Sequence, residues 1–258
     1  MKRTDAQIFI MAHKPVDYDI PDNVLYTPVQ VGSNPRFLKV RDNDREDSIS
    51  EFNPFYAEGT GIYYVWKHFH PTKYKGVCQY RRRLEFDEGT DFDEIFRDYD
   101  MVVATPIYLP GNVRGQFEKW HCKEDLDRVE NIVKTFYPDY SEDWDRWINN
   151  GQFLFYSNGF IMRSEHYDQY AEWLFSVLGK FREGEQWDTA EQLYEEIERD
   201  IESGKRPNDN GKGSTEGAVK YQAQKAGFLG ERLLTLWILH NIPLNRIMLK
   251  DYRKYENV

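Results

Sequence analysis

The sequence predicts an α/β fold, a sheet with helices on both faces and a helical C-terminal part. Two observations carry this. Short apolar runs rich in strand-forming residues alternate with helical patterns through the first half of the chain. The second half is dominated by amphipathic helical stretches. At 258 residues, 40% of them hydrophobic, the chain makes one large domain, 1–258, around a real core.

Gln7 to Ala12 (QIFIMA) reads as the first strand, ended by Pro15 after His13-Lys14. Val24 to Val31 is the second, closed by Gly32-Ser33-Asn34. Ser50 to Phe69 reads as one helix, with Ser50 as its cap, Pro54 in its first turn and aromatics at helical spacing, although Gly59 and Gly61 lie inside it. Gly76 to Arg82 is a strand, Asp87 to Tyr99 an acidic helix or turn, and Met101 to Leu109 another strand. Gly115 to Tyr137 is helical, with Leu126, Val129, Ile132, Val133 and Phe136 on one face. Phe153 to Met162 forms two short strands around Ser157-Asn158-Gly159. Ser164 to Phe181 is an amphipathic helix, and a last helix runs from Gly217 to Asn241. Between them, polar Ser203 to Glu216 has the length and composition of a functional lid. No internal repeat is present.

The net charge of −10 excludes a general nucleic-acid binder, which needs a basic face. On this acidic chain Arg81, Arg82 and Arg83 form a local island of positive charge, suited to a small anion. The two cysteines, Cys78 and Cys122, force no disulfide and fit a reducing cytoplasm. No signal peptide and no membrane-length apolar window is visible. The aromatic side chains, 18 Tyr, 16 Phe and 7 Trp, build core and are compatible with stacking on sugars.

In α/β sheets the ligand site lies beyond the carboxyl ends of the strands. The arginine triplet and His13-Lys14 both sit at such ends. Arg forks onto phosphate with two parallel hydrogen bonds. In a continuous strand Arg81 and Arg83 point one way and Arg82 the other. The alternative is structural pairing with Glu85, Asp87 or Glu88. Six Asp-x-Asp pairs occur: Asp17/Asp19, Asp42/Asp44, Asp91/Asp93, Asp98/Asp100, Asp125/Asp127 and Asp143/Asp145. A metal pair should close an apolar strand, and Asp98/Asp100 instead precedes one, so a divalent metal there is the less favoured reading.

The blocks IFIMAHKP, VQVG, ISEFNPFYAEGTGIYYVWKHF, GVCQYRRRLEF, SNGFIMRSEHYDQYAEWLF and GFLGERLLTLWIL span nearly the whole chain. Together they resemble a bacterial glycosyltransferase-like family of capsular and exopolysaccharide synthesis, long catalogued as a domain of unknown function. The resemblance implies a GT-A-like domain, with a Rossmann-like nucleotide-binding half over 1–110 and an acceptor half over 111–258. It implies a donor site on Ala12, His13, Lys14, Gly32, Gln79, Tyr80, Arg81, Arg82 and Asn158. The family usually has His at the place of Gln79, Leu at that of Gly59, and an Arg near Gln224. In metal-dependent relatives of this fold the strand matching Val77–Tyr80 ends in metal carboxylates. Here it ends in arginines, which implies that side-chain cations neutralise the leaving diphosphate.

An inverting transferase also needs a base. Glu231 is the candidate, with Arg232 to orient it, and Glu58 is the second. Asn158 is read first as a plain turn residue, with contact to donor or acceptor as the alternative. His121, Thr60 and Trp66 read as structural. The expected function is transfer from a nucleotide-sugar, UDP-linked, to a cell-surface glycan on a lipid carrier, in the cytoplasm or peripheral to the inner membrane, without a metal or other cofactor. Galactofuranose is one sugar that the resemblance suggests. The competing reading is a non-catalytic nucleotide-sugar or glycan-binding subunit. A phosphoester hydrolase would need ligand or nucleophile spacing that the sequence lacks.

Overall fold

The computed structural model describes residues 5–69, 72–208 and 214–256. Its strands are β1 (Ala6–Ala12), β2 (Tyr26–Gln30), β3 (Val40–Arg41), β4 (Tyr74–Gln79), β5 (Arg82–Arg83), β6 (Met101–Ala104), β7 (Ile107–Tyr108), β8 (Phe153–Leu154), β9 (Phe160–Arg163), β10 (Ile247–Lys250) and β11 (Arg253–Lys254). Its α-helices are α1 (Asn53–Tyr56), α2 (Gly59–His68), α3 (Phe92–Asp98), α4 (Val113–Trp120), α5 (Lys123–Phe136), α6 (Ser141–Asp143), α7 (Ser164–Glu183), α8 (Ala190–Glu202), α9 (Thr215–Gln222) and α10 (Lys225–Asn241).

The main sheet has the order β10-β6-β9-β4-β1-β2-β3, with β5 on the end of β4 and β11 on β5. Its long pairings are parallel except for β9, which runs antiparallel to both β4 and β6. β7 and β8 form a separate two-stranded sheet. All of β1 but Gln7 is buried. Successive side chains of a strand face opposite ways, so Phe9 and Met11 enter one core, with residues of α2, α7 and α10, while Ile8 and Ile10 enter a second, with Phe92 and Phe96 of α3. The predicted sheet with helices on both faces is therefore the observed one. β9 and β10 come from the second half of the chain and complete the sheet begun by the first.

Several predicted elements are subdivided. The helix over 50–69 breaks at Ala57, whose φ of 51° no right-handed helix allows. Asn53 Nδ2 locks that kink by donating to Ala57 O (2.7 Å) and Thr60 Oγ1 (3.1 Å). Ser50 does not cap; its hydroxyl donates to buried Asp42 (2.5 Å). The strand over 76–82 stops at Gln79, turns tightly through Tyr80-Arg81 and returns as β5, so Gln79 lies opposite Arg82. The strand over 101–109 is interrupted at Thr105-Pro106, where Pro has no N–H for a ladder. The helix over 115–137 breaks at His121-Cys122, both extended. β8 and β9 join different sheets and so form no hairpin. The last helix is two, α9 and α10. Of the predicted lid, residues 209–213 lie outside the described residues; its near end is pinned by Arg206, buried and bidentate on Asp125 (2.7 and 3.2 Å).

α10 crosses the α1–α2 kink closely. A Cβ on Gly227 would lie 2.9 Å from the Ala57 methyl, which cannot swing away. Gly227→Ala gains about 1 kcal/mol of helix propensity and loses about 1–3 kcal/mol to overpacking. A lowered urea midpoint is the expected net result; an unchanged midpoint would show that the helices slide apart freely.

Candidate active site

β1 and β4 end side by side at Ala12 and Gln79. Because β9 is antiparallel, its start lies at this same edge, and Val77 pairs with Phe160. The turn at Ser157-Asn158 is thereby set beside Gln79, and the kink before α2 adds Glu58. Ala57, Ser157 (φ 67°) and Asn158 (φ 47°) are three of the four non-glycine residues with positive φ among those described. Backbone held in such conformations clusters at functional sites.

The side chains are knitted together. Gln79 Nε2 donates to Glu58 Oε1 (2.7 Å), and Asn158 Nδ2 donates to the same oxygen (3.0 Å). Arg82 Nη1 donates to Gln79 Oε1 (3.1 Å), and its guanidinium lies 5.0 Å from the centre of the Tyr156 ring. Arg81 is exposed at the turn. His13 sits edge-on to Tyr80, ring centres 5.3 Å apart. Partial burial, then the cations of Arg81 and Lys14, hold the His13 ring below the usual histidine range, against the pull of Glu58.

Glu231 and Arg232 reach this edge from α10, a helix apolar on nearly every side and buried accordingly. The N–H of Ser157 donates to Glu231 Oε1 (3.1 Å), and Arg232 Nη1 donates to Oε2 (3.1 Å). Burial pushes the Glu231 carboxyl up to about 7; Arg232 opposes the rise and the Glu58 carboxylate adds to it. Arg232 is fixed by Phe228 O (2.8 Å) and Gln116 Oε1 (2.5 Å). A carboxyl in this state is a competent proton acceptor near neutral pH.

The structure thus brings together His13, Lys14, Gln79, Tyr80, Arg81, Arg82, Asn158, Glu231, Arg232 and Glu58. Ala12 ends β1 with its carbonyl taken by Val31 N (2.9 Å). Gly32 is placed differently from expectation. Its N–H donates to Asp42 (3.2 Å) and its carbonyl accepts from Arg41 (2.6 Å). A Cβ there would lie 2.5 Å from Asn53 Oδ1. Gly32 therefore makes room for Asn53, which locks the kink that carries Glu58. Thr60 supports the same loop by donating to Asp42 (2.6 Å). Trp66 stacks on Phe175, and buried His121 stacks on Phe228 with its pKa lowered by burial to about 2.

The arginine triplet divides by role. Arg83 is buried, donates to Asp19 O (2.9 Å) and lies 3.5 Å from the centre of the Tyr255 ring. Structural contacts hold most of its guanidinium, although its buried Nε has no partner among the described residues, while Arg81 and Arg82 stay at the edge. The turn explains the split, since strand alternation ends at Gln79. Sequence reasoning missed Tyr156, Ser157 and Gln116, which touch Arg82, Glu231 and Arg232; only the Ser-Asn-Gly turn signalled any of them. Among the described residues no three His, Cys, Asp or Glu are grouped as metal ligands. Asp100 is occupied by Arg246 (2.8 and 3.0 Å), whose hydrogen bonds hold it below the usual carboxylate range.

The structure is similar to that of the bifunctional glycosyltransferase WbbM in its apo form, with a TM-score of 0.69 at 20% identity. The likeness is one of fold; it covers 96% of this chain and 44% of that one, so this chain spans less than half of WbbM's length. No curated protein matches the sequence. A family model, the domain of unknown function DUF4422, matches residues 7–197, and the chain belongs to that family.

Proposed function

We propose that this protein is a glycosyltransferase that moves a sugar from a UDP-linked donor to a hydroxyl of a cell-surface polysaccharide, without a divalent metal. One observation carries the reading. Lys14, Arg81 and Arg82 gather at the carboxyl edge of the sheet, where Glu231 is poised near neutrality. The fold shared with WbbM supports it.

In this reading residues 1–110 supply most of the donor site and 111–258 the acceptor site. The acceptor hydroxyl gives its proton to Glu231 as its oxygen attacks the anomeric carbon. The bond from that carbon to the diphosphate oxygen breaks, and both electrons leave with UDP. Arg81, Arg82 and Lys14 neutralise the charge that develops there. Arg232 and the Ser157 N–H each use one lone pair of Glu231, leaving others to accept the proton. Attack opposite the leaving group inverts the anomeric centre. No helix among the described residues is long and apolar enough to cross a membrane. In this reading a lipid-linked acceptor is met peripherally, at the cytoplasmic face.

The test is calorimetric titration with UDP in EDTA. Wild type should bind, and Arg81→Ala with Arg82→Ala should bind about a hundredfold more weakly, as for two charged hydrogen bonds lost. Binding that requires Mn²⁺ would refute the arginine clamp, and absence of binding under both conditions would refute the donor.

A further inference from the structure

Arg81 and Arg82 are held without a counter-ion. The chain carries 44 acidic residues, and several of its arginines use them: Arg114 sits on Asp127 (2.7 Å), Arg206 on Asp125 (2.7 Å) and Arg232 on Glu231 (3.1 Å). Arg83 approaches Glu85 (3.8 Å), but among the described residues neither Arg81 nor Arg82 belongs to an ion pair. Each lies over a tyrosine ring instead, Arg81 over Tyr80 (5.4 Å to the ring centre) and Arg82 over Tyr156 (5.0 Å).

The second ring is the informative one, because it comes to Arg82 from a distant part of the chain. A ring face attracts a cation through its quadrupole and takes none of its hydrogen bonds. The N–H groups of a guanidinium lie in its own plane. Arg82, with Nη1 on Gln79 Oε1 (3.1 Å), therefore keeps its other donors and its charge. A carboxylate in place of the ring would take both. The ring also has a firm mount. On one side of Tyr156 the N–H of Phe155 donates to Thr235 Oγ1 (3.1 Å), and on the other the N–H of Ser157 donates to Glu231 Oε1 (3.1 Å). Thr235 and Glu231 both belong to α10. The helix that carries the candidate base thus also fixes the ring on which Arg82 rests.

We infer that Tyr156 is a positioning residue, whose ring holds Arg82 ready for the diphosphate with its charge and N–H donors unspent. This rests on the donor reading above and deepens it. Ordering a long side chain on binding is costly when nothing holds it beforehand, and removing the ring returns that cost to the binding step.

The experiment is UDP titration by calorimetry on the full chain in EDTA, for wild type, Arg82→Ala, Tyr156→Leu, Tyr156→Phe and the double change Arg82→Ala with Tyr156→Leu. Arg82→Ala should weaken UDP by about tenfold, as for one charged hydrogen bond lost. Tyr156→Leu should weaken it by about three- to tenfold, the cost of ordering one long side chain. Tyr156→Phe keeps the ring and should stay within about twofold of wild type. The double change should stay within about twofold of Arg82→Ala, because a ring with no guanidinium to hold contributes nothing. A circular dichroism melt checks folding, and Tyr156→Met replaces Tyr156→Leu in the cycle if the latter does not fold. Full additivity of Tyr156→Leu and Arg82→Ala would overturn the inference, since a merely structural role gives that result. So would Tyr156→Leu binding UDP as wild type does, or Tyr156→Phe binding as weakly as Tyr156→Leu. Arg82→Ala binding as tightly as wild type would remove Arg82 from the donor site, and the inference with it. A wild type that binds no UDP overturns the nucleotide reading itself, a separate failure.

Discussion

Glu231→Gln is expected to slow sugar transfer by about 10²–10⁴-fold, the range for loss of a general base, while donor affinity changes little. Glutamine keeps the side-chain volume and an oxygen for the Ser157 N–H, but its amide N–H then faces Arg232 Nη1, so a thermal melt and UDP affinity of the variant are measured beside the rate to separate the lost base from a displaced Arg232. The pH profile adds a second check. Burial sets the Glu231 carboxyl at about 7, and the base works only when ionised. The wild-type rate should therefore rise with pH through about 7 and level off above it. Single-turnover rates on wild type and variant across this range decide the matter. A variant that keeps most of its rate, or a wild-type profile flat through neutrality, would move the base elsewhere, Glu58 being next.

Lys225→Ala is expected to destabilise the fold by about 3–5 kcal/mol, the cost of leaving a buried charge without its partner. Lys225 is 3% exposed, and its ammonium sits between Glu185 (2.5 Å) and Glu196 (2.6 Å). Burial would raise the Glu185 carboxyl, but Lys225, Arg128 and the Trp187 N–H outweigh it and hold the group below its usual range. A depressed carboxyl stabilises the fold above its unfolded value, about 4.3, and that contribution is lost as pH falls through the lower folded value. Urea melts at neutral pH measure the loss. The double change Lys225→Met with Glu185→Leu should recover part of it, because the two most buried charges are removed together, while Arg128 and Glu196, both partly exposed, each lose an ion pair that water can replace. A single variant as stable as wild type would mean that water reaches Glu185.

The first two strands were legible because each is an apolar run closed by Pro or Gly, and the helix from Ser164 was legible because its apolar residues keep a helical period. Glu231-Arg232 stood out as a charged pair inside an apolar helix. Other features left no local mark. Alanine at position 57 is no recognised breaker; the kink is imposed by Asn53 and by the approach of Gly227. The turn at Tyr80-Arg81 carries neither Gly nor Pro, so the strand seemed to run on and the arginines were assigned faces they do not have. The contact between Ser157 and Glu231 joins residues 74 positions apart, and no periodicity reports such a pair. The ion pairs of Asp100 and Asp125 left no mark in the sequence, because their arginine partners, Arg246 and Arg206, lie far along the chain.

The antiparallel strand β9 and the edge strand β10 have a consequence for synthesis on the ribosome. β6, with all four residues buried, pairs with β9 on one side and β10 on the other. The first partner emerges about sixty residues after it and the second about ninety residues later still, which at about 5–20 residues per second leaves Met101–Ala104 an open, apolar strand edge for some seconds to half a minute. Unpaired edges of this kind recruit other chains. A ribosome stalled before residue 247 would release a nascent protein with its sheet unfinished beside β6, and chaperone capture during that interval is the natural safeguard.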